Sequence, residues 1–206
     1  MVDVLNQAEP FAGGQPFLEM DDFVRSRMHW NGKESYDQLA DAFRKAYYDA
    51  AEPEVTAYLR LLEESYALWA ERGWTTRINS RAAIRKYLFT VEEMYRHKQV
   101  LDRALAAAKA IADPQRSQKI YDRVNALTLF YKFVLVICFP REIPKEEALM
   151  LIEDLQALAE KNEMRYFLRL TGTVADWLED AKNIVLGVYP EDRRKCPLKQ
   201  PNEGPF

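Results

Sequence analysis

Histidine, cysteine and paired carboxylates are the side chains that most often carry chemistry in a helical protein, and this sequence of 206 residues uses the first two sparingly. His29 and His97 each stand alone. A di-iron centre in a helical bundle needs paired Glu-x-x-His motifs, because positions i and i+3 put both ligands on one helix face. Here Glu93 precedes His97 by four residues and Glu92 by five, while Arg25 and Ser26 stand upstream of His29. Glu93 and His97 are therefore expected to form a solvated helix pair. Zinc needs Cys and His clustered at close spacing, and Cys138 and Cys196 lie 58 residues apart. Cys138 sits in an apolar run and is expected to act as a small hydrophobe. Cys196 is a lone tail thiol. Gly13-Gly14 is the only glycine pair and reads as a turn. The sequence holds no phosphate-cradling glycine loop, no dinucleotide fingerprint and no G-x-S-x-G.

One carboxylate pattern does have the spacing of metal ligands. Glu160-x-x-Glu163 is followed, after 12 intervening residues, by Asp176-x-x-Glu179. Acids at i and i+3 on two adjacent helices can hold Mg²⁺ between them. The spacing resembles the all-α nucleotide pyrophosphohydrolases, which use Glu-x-x-Glu followed by Glu-x-x-Asp; the resemblance implies a Mg-dependent enzyme and covers about twenty residues. The second half departs from that order, with Asp first and Glu second. Glu160 also falls off the apolar stripe of Leu151, Leu155 and Leu158, so the acids are expected to face water. No metal site and no cofactor is assigned.

Charge is the more informative feature. The net charge is −3, but residues 1–73 hold 7 basic and 14 acidic side chains, and residues 74–123 hold 11 basic against 5 acidic. Arg77, Arg81, Arg85 and Lys86 open the basic block. If one helix runs from Ser80 to Ala112, then at 100° per residue Arg81, Arg85, Arg96 and Arg103 fall within about 60° of one another on its outer face. Phe89 interrupts that polarity. The opposite face carries Ala83, Ile84, Tyr87, Leu88, Val91, Met94, Leu101 and Leu105. Arginine suits anion recognition because its planar fork binds two oxygens at once. An acidic protein surface or nucleic-acid phosphates fit such a ridge. Residues 75–86, after the Gly73 turn, loosely resemble the entry to a recognition helix. Against nucleic acid stands the overall negative charge. A third reading pairs the ridge internally: Glu92 precedes Arg96 by four, and the acidic first 73 residues could pack over it. Trp74 follows a helix-ending glycine, and an exposed Trp with arginines nearby is a typical interface anchor. The candidate partner-binding set is therefore Trp74, Arg77, Arg81, Arg85, Lys86, Phe89, Arg96 and Arg103. The four tryptophans and eleven tyrosines are otherwise expected mostly in the core.

Helices must position these groups. Tyr36, Leu39, Ala40, Phe43, Ala46, Tyr47 and Ala50 repeat with helical period. Pro53 suits a first turn, and Val55, Leu59, Leu62, Tyr66 and Trp69 form the next stripe. Asp113-Pro114 opens a helix whose later part, from Leu129, is apolar on every side. Ala148, Leu151, Ile152, Leu155 and Leu158 mark another. Thr171-Gly172-Thr173 precedes a last one, with Val174, Trp177, Leu178, Ala181, Ile184 and Val185 inward. No alternating strand or internal repeat appears. The expectation is an all-α bundle of six to seven helices spanning 19–189, with an irregular N-terminal arm at 1–18 and an extended, Pro-rich C-terminal tail at 190–206.

A hydrophobic fraction of 48% excludes a largely disordered chain. Residues 127–139 are too few to span a bilayer and contain Lys132, so they read as a buried helix. Met1 to Pro10 has no basic n-region or apolar h-region, and cysteine usage suits a reducing compartment. The expected protein is cytoplasmic and non-catalytic: an adaptor, regulator or assembly subunit that binds an acidic protein surface through a basic helix face. A nucleic-acid-binding helical protein and the Mg-dependent enzyme are the alternatives; no membrane partner is expected, and no oligomeric state is assigned.

Overall fold

Caps and prolines set most of the helix boundaries in the computed structural model, which describes residues 17–30, 33–71, 89–164 and 173–188. Eight α-helices and one 3-10 turn make up the regular structure of these residues. They are α1 (Leu18–Trp30), α2 (Tyr36–Tyr48), a 3-10 turn (Asp49–Ala51), α3 (Glu52–Glu71), α4 (Val91–Lys109), α5 (Pro114–Leu127), α6 (Leu129–Cys138), α7 (Lys145–Lys161) and α8 (Val174–Val185). The protein is all-α, and a helical bundle is its architecture. The arm at 1–16, the segment 72–88 and the tail at 190–206 lie outside the described residues.

Local chemistry explains several of these limits. Ser35 opens α2 with a capping box, accepting from the Gln38 amide while Gln38 Oε1 accepts from the Ser35 amide. Asp113 accepts from the amides of Gln115 and Arg116, and Pro114 follows it at the first helical position. Thr173 and Asp176 form a second capping box at α8. Gly187, at a φ of 74°, follows the end of α8 where a side chain would be strained.

Two expected helices are broken. The helix that opens at Pro114 does not continue into the apolar run: it ends at Leu127, before Thr128, a buried residue whose hydroxyl donates to the Asn125 carbonyl at 2.6 Å. That local bond competes with the helical ladder. The helix expected from Ser80 to Ala112 is also interrupted, because Phe89 and Thr90 are not helical. Thr90-Val91-Glu92-Glu93 has the spacing of a capping box, and Phe89 and Met94, the positions a hydrophobic staple pairs, are both buried.

Packing divides the described residues into two compact units. One holds residues 17–71 and 92–131. Its core includes Met20 and Val24 of α1, Leu39 and Tyr48 of α2, Val55, Tyr58 and Leu62 of α3, and Leu101 of α4. Phe17, assigned from the sequence to the arm, is buried with its ring 6.3 Å from Tyr48 and 6.1 Å from Tyr58. The other unit includes residues 132–164 and 173–188. Residues 134–140 are buried on every side, as the apolar run requires. Ala148, Leu151, Ile152, Leu155 and Leu158 of α7 and Val174, Trp177, Leu178 and Ala181 of α8 are buried as expected. Lys132 is enclosed too, its ammonium 3.0 Å from the exposed carboxylate of Asp154. No described helix is long and apolar enough to cross a membrane.

Candidate functional site

Helices α4 and α5 carry the described part of the basic block, and α4 its candidate face. Met94, His97, Leu101, Ala104 and Ala108 recur at three- and four-residue spacing and are buried. The opposite side exposes Glu92, Arg96, Gln99 and Arg103. Arg96 and Arg103 are two turns apart, about 10 Å along the axis. Arg77, Arg81, Arg85, Lys86 and Trp74 lie outside the described residues. The break at Phe89 and Thr90 means that helical register does not carry from Arg81 and Arg85 to Arg96 and Arg103, so the four-arginine alignment expected of one continuous helix is withdrawn. Phe89 itself is 7% exposed. It is a core side chain at the mouth of α4, not part of an exposed binding face.

Much of the described basic block is engaged within its own unit. Arg103 Nε donates to Glu54 Oε2 of α3 at 2.9 Å. Arg116 pairs with Asp49. Arg123 stacks its guanidinium 3.8 Å from the Tyr47 ring centroid and donates to the Tyr47 carbonyl. Lys98 meets Asp102 at 2.7 Å, and Lys109 lies over the Tyr121 ring. Among the described residues Arg96 has no such tie, and it points to solvent. The Arg103–Glu54 pair is half exposed, a setting in which an ion pair contributes about 1 kcal/mol or less and can be exchanged for a partner's carboxylate.

His97 is not the solvated partner of Glu93 that its spacing suggested. It is fully buried, with Nε2 3.1 Å from Ser65 Oγ, the Tyr58 ring edge-on at 5.6 Å and the Phe130 ring at 6.0 Å. A Ser–His contact is the start of a nucleophile–base arrangement. This one lacks the rest. Nδ1 finds no hydrogen-bond partner among the described residues, so nothing orients the ring as a third group would. Burial pushes the ring down to about 4, with nearby Glu93 opposing and Arg96 assisting. A base so weak, beside a serine that is itself only 3% exposed, is placed for packing.

The four carboxylates of the metal pattern stay apart in role. Asp176 accepts from the Thr173 amide at 2.9 Å and from its hydroxyl at 2.7 Å, which holds its carboxyl below the usual range. Glu160 accepts from Gln156 at 3.1 Å. No three His, Cys, Asp or Glu side chains among the described residues are grouped to hold a metal ion.

A feature the sequence reading missed is the end of α1. Residues 25–30 are exposed on every side, and Trp30, expected in the core, is 90% exposed. The signal was present: after Val24 the segment Arg25-Ser26-Arg27-Met28-His29-Trp30 has no apolar stripe to bury. Comparison with known proteins finds no match to this chain among family models, curated proteins or solved structures.

Proposed function

We propose that this chain is a non-catalytic, cytoplasmic protein-binding module, an adaptor, regulator or assembly subunit that docks an acidic protein surface through the outer face of α4 and the basic segment preceding it. The observation that carries the proposal is the exposed Arg96 on a helix whose other face is fully committed to the core. Arg103 adds a second guanidinium two turns away, held by a half-exposed Glu54 that an incoming carboxylate can replace. Further support comes from the groups that could do chemistry. His97 and Cys138 are enclosed, and Asp176 is committed to a helix cap.

Co-purification from native lysate with a tagged copy, compared between wild type and Arg81→Glu with Arg96→Glu, tests it. The charge-reversed chain should keep its helical circular-dichroism spectrum and lose its specific protein partners by roughly tenfold or more. An unchanged set of partners would reject the face.

A further inference from the structure

We infer that the C-terminal end of α1 docks on the acidic outer stripe of α7 in a second copy of this chain. Among the described residues the anchoring contacts of α1 lie in its first half. Met20 and Val24 are buried, the Tyr36 hydroxyl donates to Asp21 at 2.9 Å, and the Phe23 ring lies 5.4 Å from Phe43 of α2. Beyond Val24 the helix continues for six residues, about 9 Å, with every one of them exposed. Between Phe23 and Lys33 the sequence has Arg25, Arg27, His29 and Lys33 and no acid. Arg27 is held over the Phe23 ring at 5.7 Å, on the same side of the helix as Trp30 four-plus-three spacing predicts. Trp30 is 90% exposed and Met28 44%. An exposed tryptophan among arginines is the composition of an interface anchor, and here it is presented on a helix end exposed on every side.

Helix α7 carries the complement. Its inner face is buried, and its outer face exposes Glu146, Met150, Glu153, Ala157 and Glu160 at spacings of four, three, four and three residues, a single straight stripe. Three carboxylates flank two apolar positions, and Met150 is 60% exposed. Methionine makes favourable contacts with an aromatic ring, so Trp30 has a seat at Met150 while Arg27, on the same side of α1, meets a glutamate. A flat anionic membrane or a nucleic acid would also face the exposed Glu34 and Asp37 just beyond the α1 end. A helix stripe accepts the projecting end alone. Because the two surfaces differ, the contact is heterologous, and because the end is short the interface falls in the weak, transient class below about 1,200 Å². This inference rests on α1 and α7 and is independent of the α4 face.

Sedimentation analysis of the purified full chain tests it by complementation. The wild-type mass should rise with concentration. Trp30→Ala, which keeps the acidic stripe, and Glu146→Lys with Glu153→Lys and Glu160→Lys, which keeps the helix end, should each stay monomeric. Mixed, they should form a one-to-one dimer that weakens as salt is raised. The altered side chains are exposed, so circular dichroism should not change; if the triple variant loses helix, Glu146→Gln with Glu153→Gln replaces it. A wild-type chain that is monomeric throughout, single variants that associate like wild type, or a mixture that does not dimerise would overturn the inference. So would binding of the wild-type chain, but not of Trp30→Ala, to phosphatidylserine vesicles or an oligonucleotide without self-association.

Discussion

With its ring enclosed and its Nε2 against Ser65, His97 is held neutral well below the ordinary histidine range. Its folded value of about 4 lies under the ordinary histidine value of 6.5, so the unfolded chain takes up a proton first. The neutral ring's contribution is therefore complete above pH 6.5 and is lost as pH falls towards 4, amounting to about 3 kcal/mol across that window. Replacing His97 with Gln keeps a polar partner for Ser65 and removes the titration. Denaturant unfolding at a series of pH values should then show wild type losing more stability than His97→Gln on acidification. Parallel curves would mean that the ring is protonated as easily in the folded protein as outside it. The same enclosure makes the Ser–His contact a poor nucleophile–base pair: the base is too weak, and its far nitrogen finds no hydrogen-bond partner among the described residues.

At the scale of elements, helix limits decided which residues could share a face. The beginning of α4 at Val91, rather than near Ser80, depends on Phe89 and Thr90. Phe89→Ala should cost about 3 kcal/mol in chemical denaturation, since it empties a buried site at the helix entry. A cost below about 1 kcal/mol would show that the entry is loose. At α8 the capping role of Asp176 predicts that millimolar Mg²⁺ leaves the melting temperature unchanged; a rise abolished by Glu160→Gln would restore the metal reading. Strong periodicity made α7 and most of α8 legible from sequence, as did the buried apolar run of α6. On α3 the expected stripe of Val55, Leu59, Leu62, Tyr66 and Trp69 is rotated: Val55 and Leu62 are buried as expected, Tyr58 and Ser65 are buried while Leu59 and Tyr66 are not, and the Trp69 side chain lies outside the described residues. Ranking residues by hydrophobicity alone passed over Ser65, which is tolerated inside because His97 completes its hydrogen bond. The start signal at Thr90 was present as a capping-box pattern, but Ser80 and a continuous apolar face drew the boundary too early.

Over the whole molecule, an acidic first stretch and a basic middle suggested either an open ridge or internal neutralisation, and both outcomes are represented. Arg103, Arg116 and Arg123 reach back to Glu54, Asp49 and Tyr47 within one unit, which the local sequence around each arginine did not reveal because the partners are 49 to 76 residues away. Arg96 stays at the surface. The candidate site was thus legible as a charged helix face but not in its extent, since long-range pairing removes cations that a helical projection counts as free. Arginine-specific labelling with phenylglyoxal, read by mass spectrometry on the free chain and on its co-purified complex, tests the central claim most directly. Arg96 should react readily in the free chain and be protected several-fold or more in the complex. Equal reactivity of Arg96 in both states would contradict it.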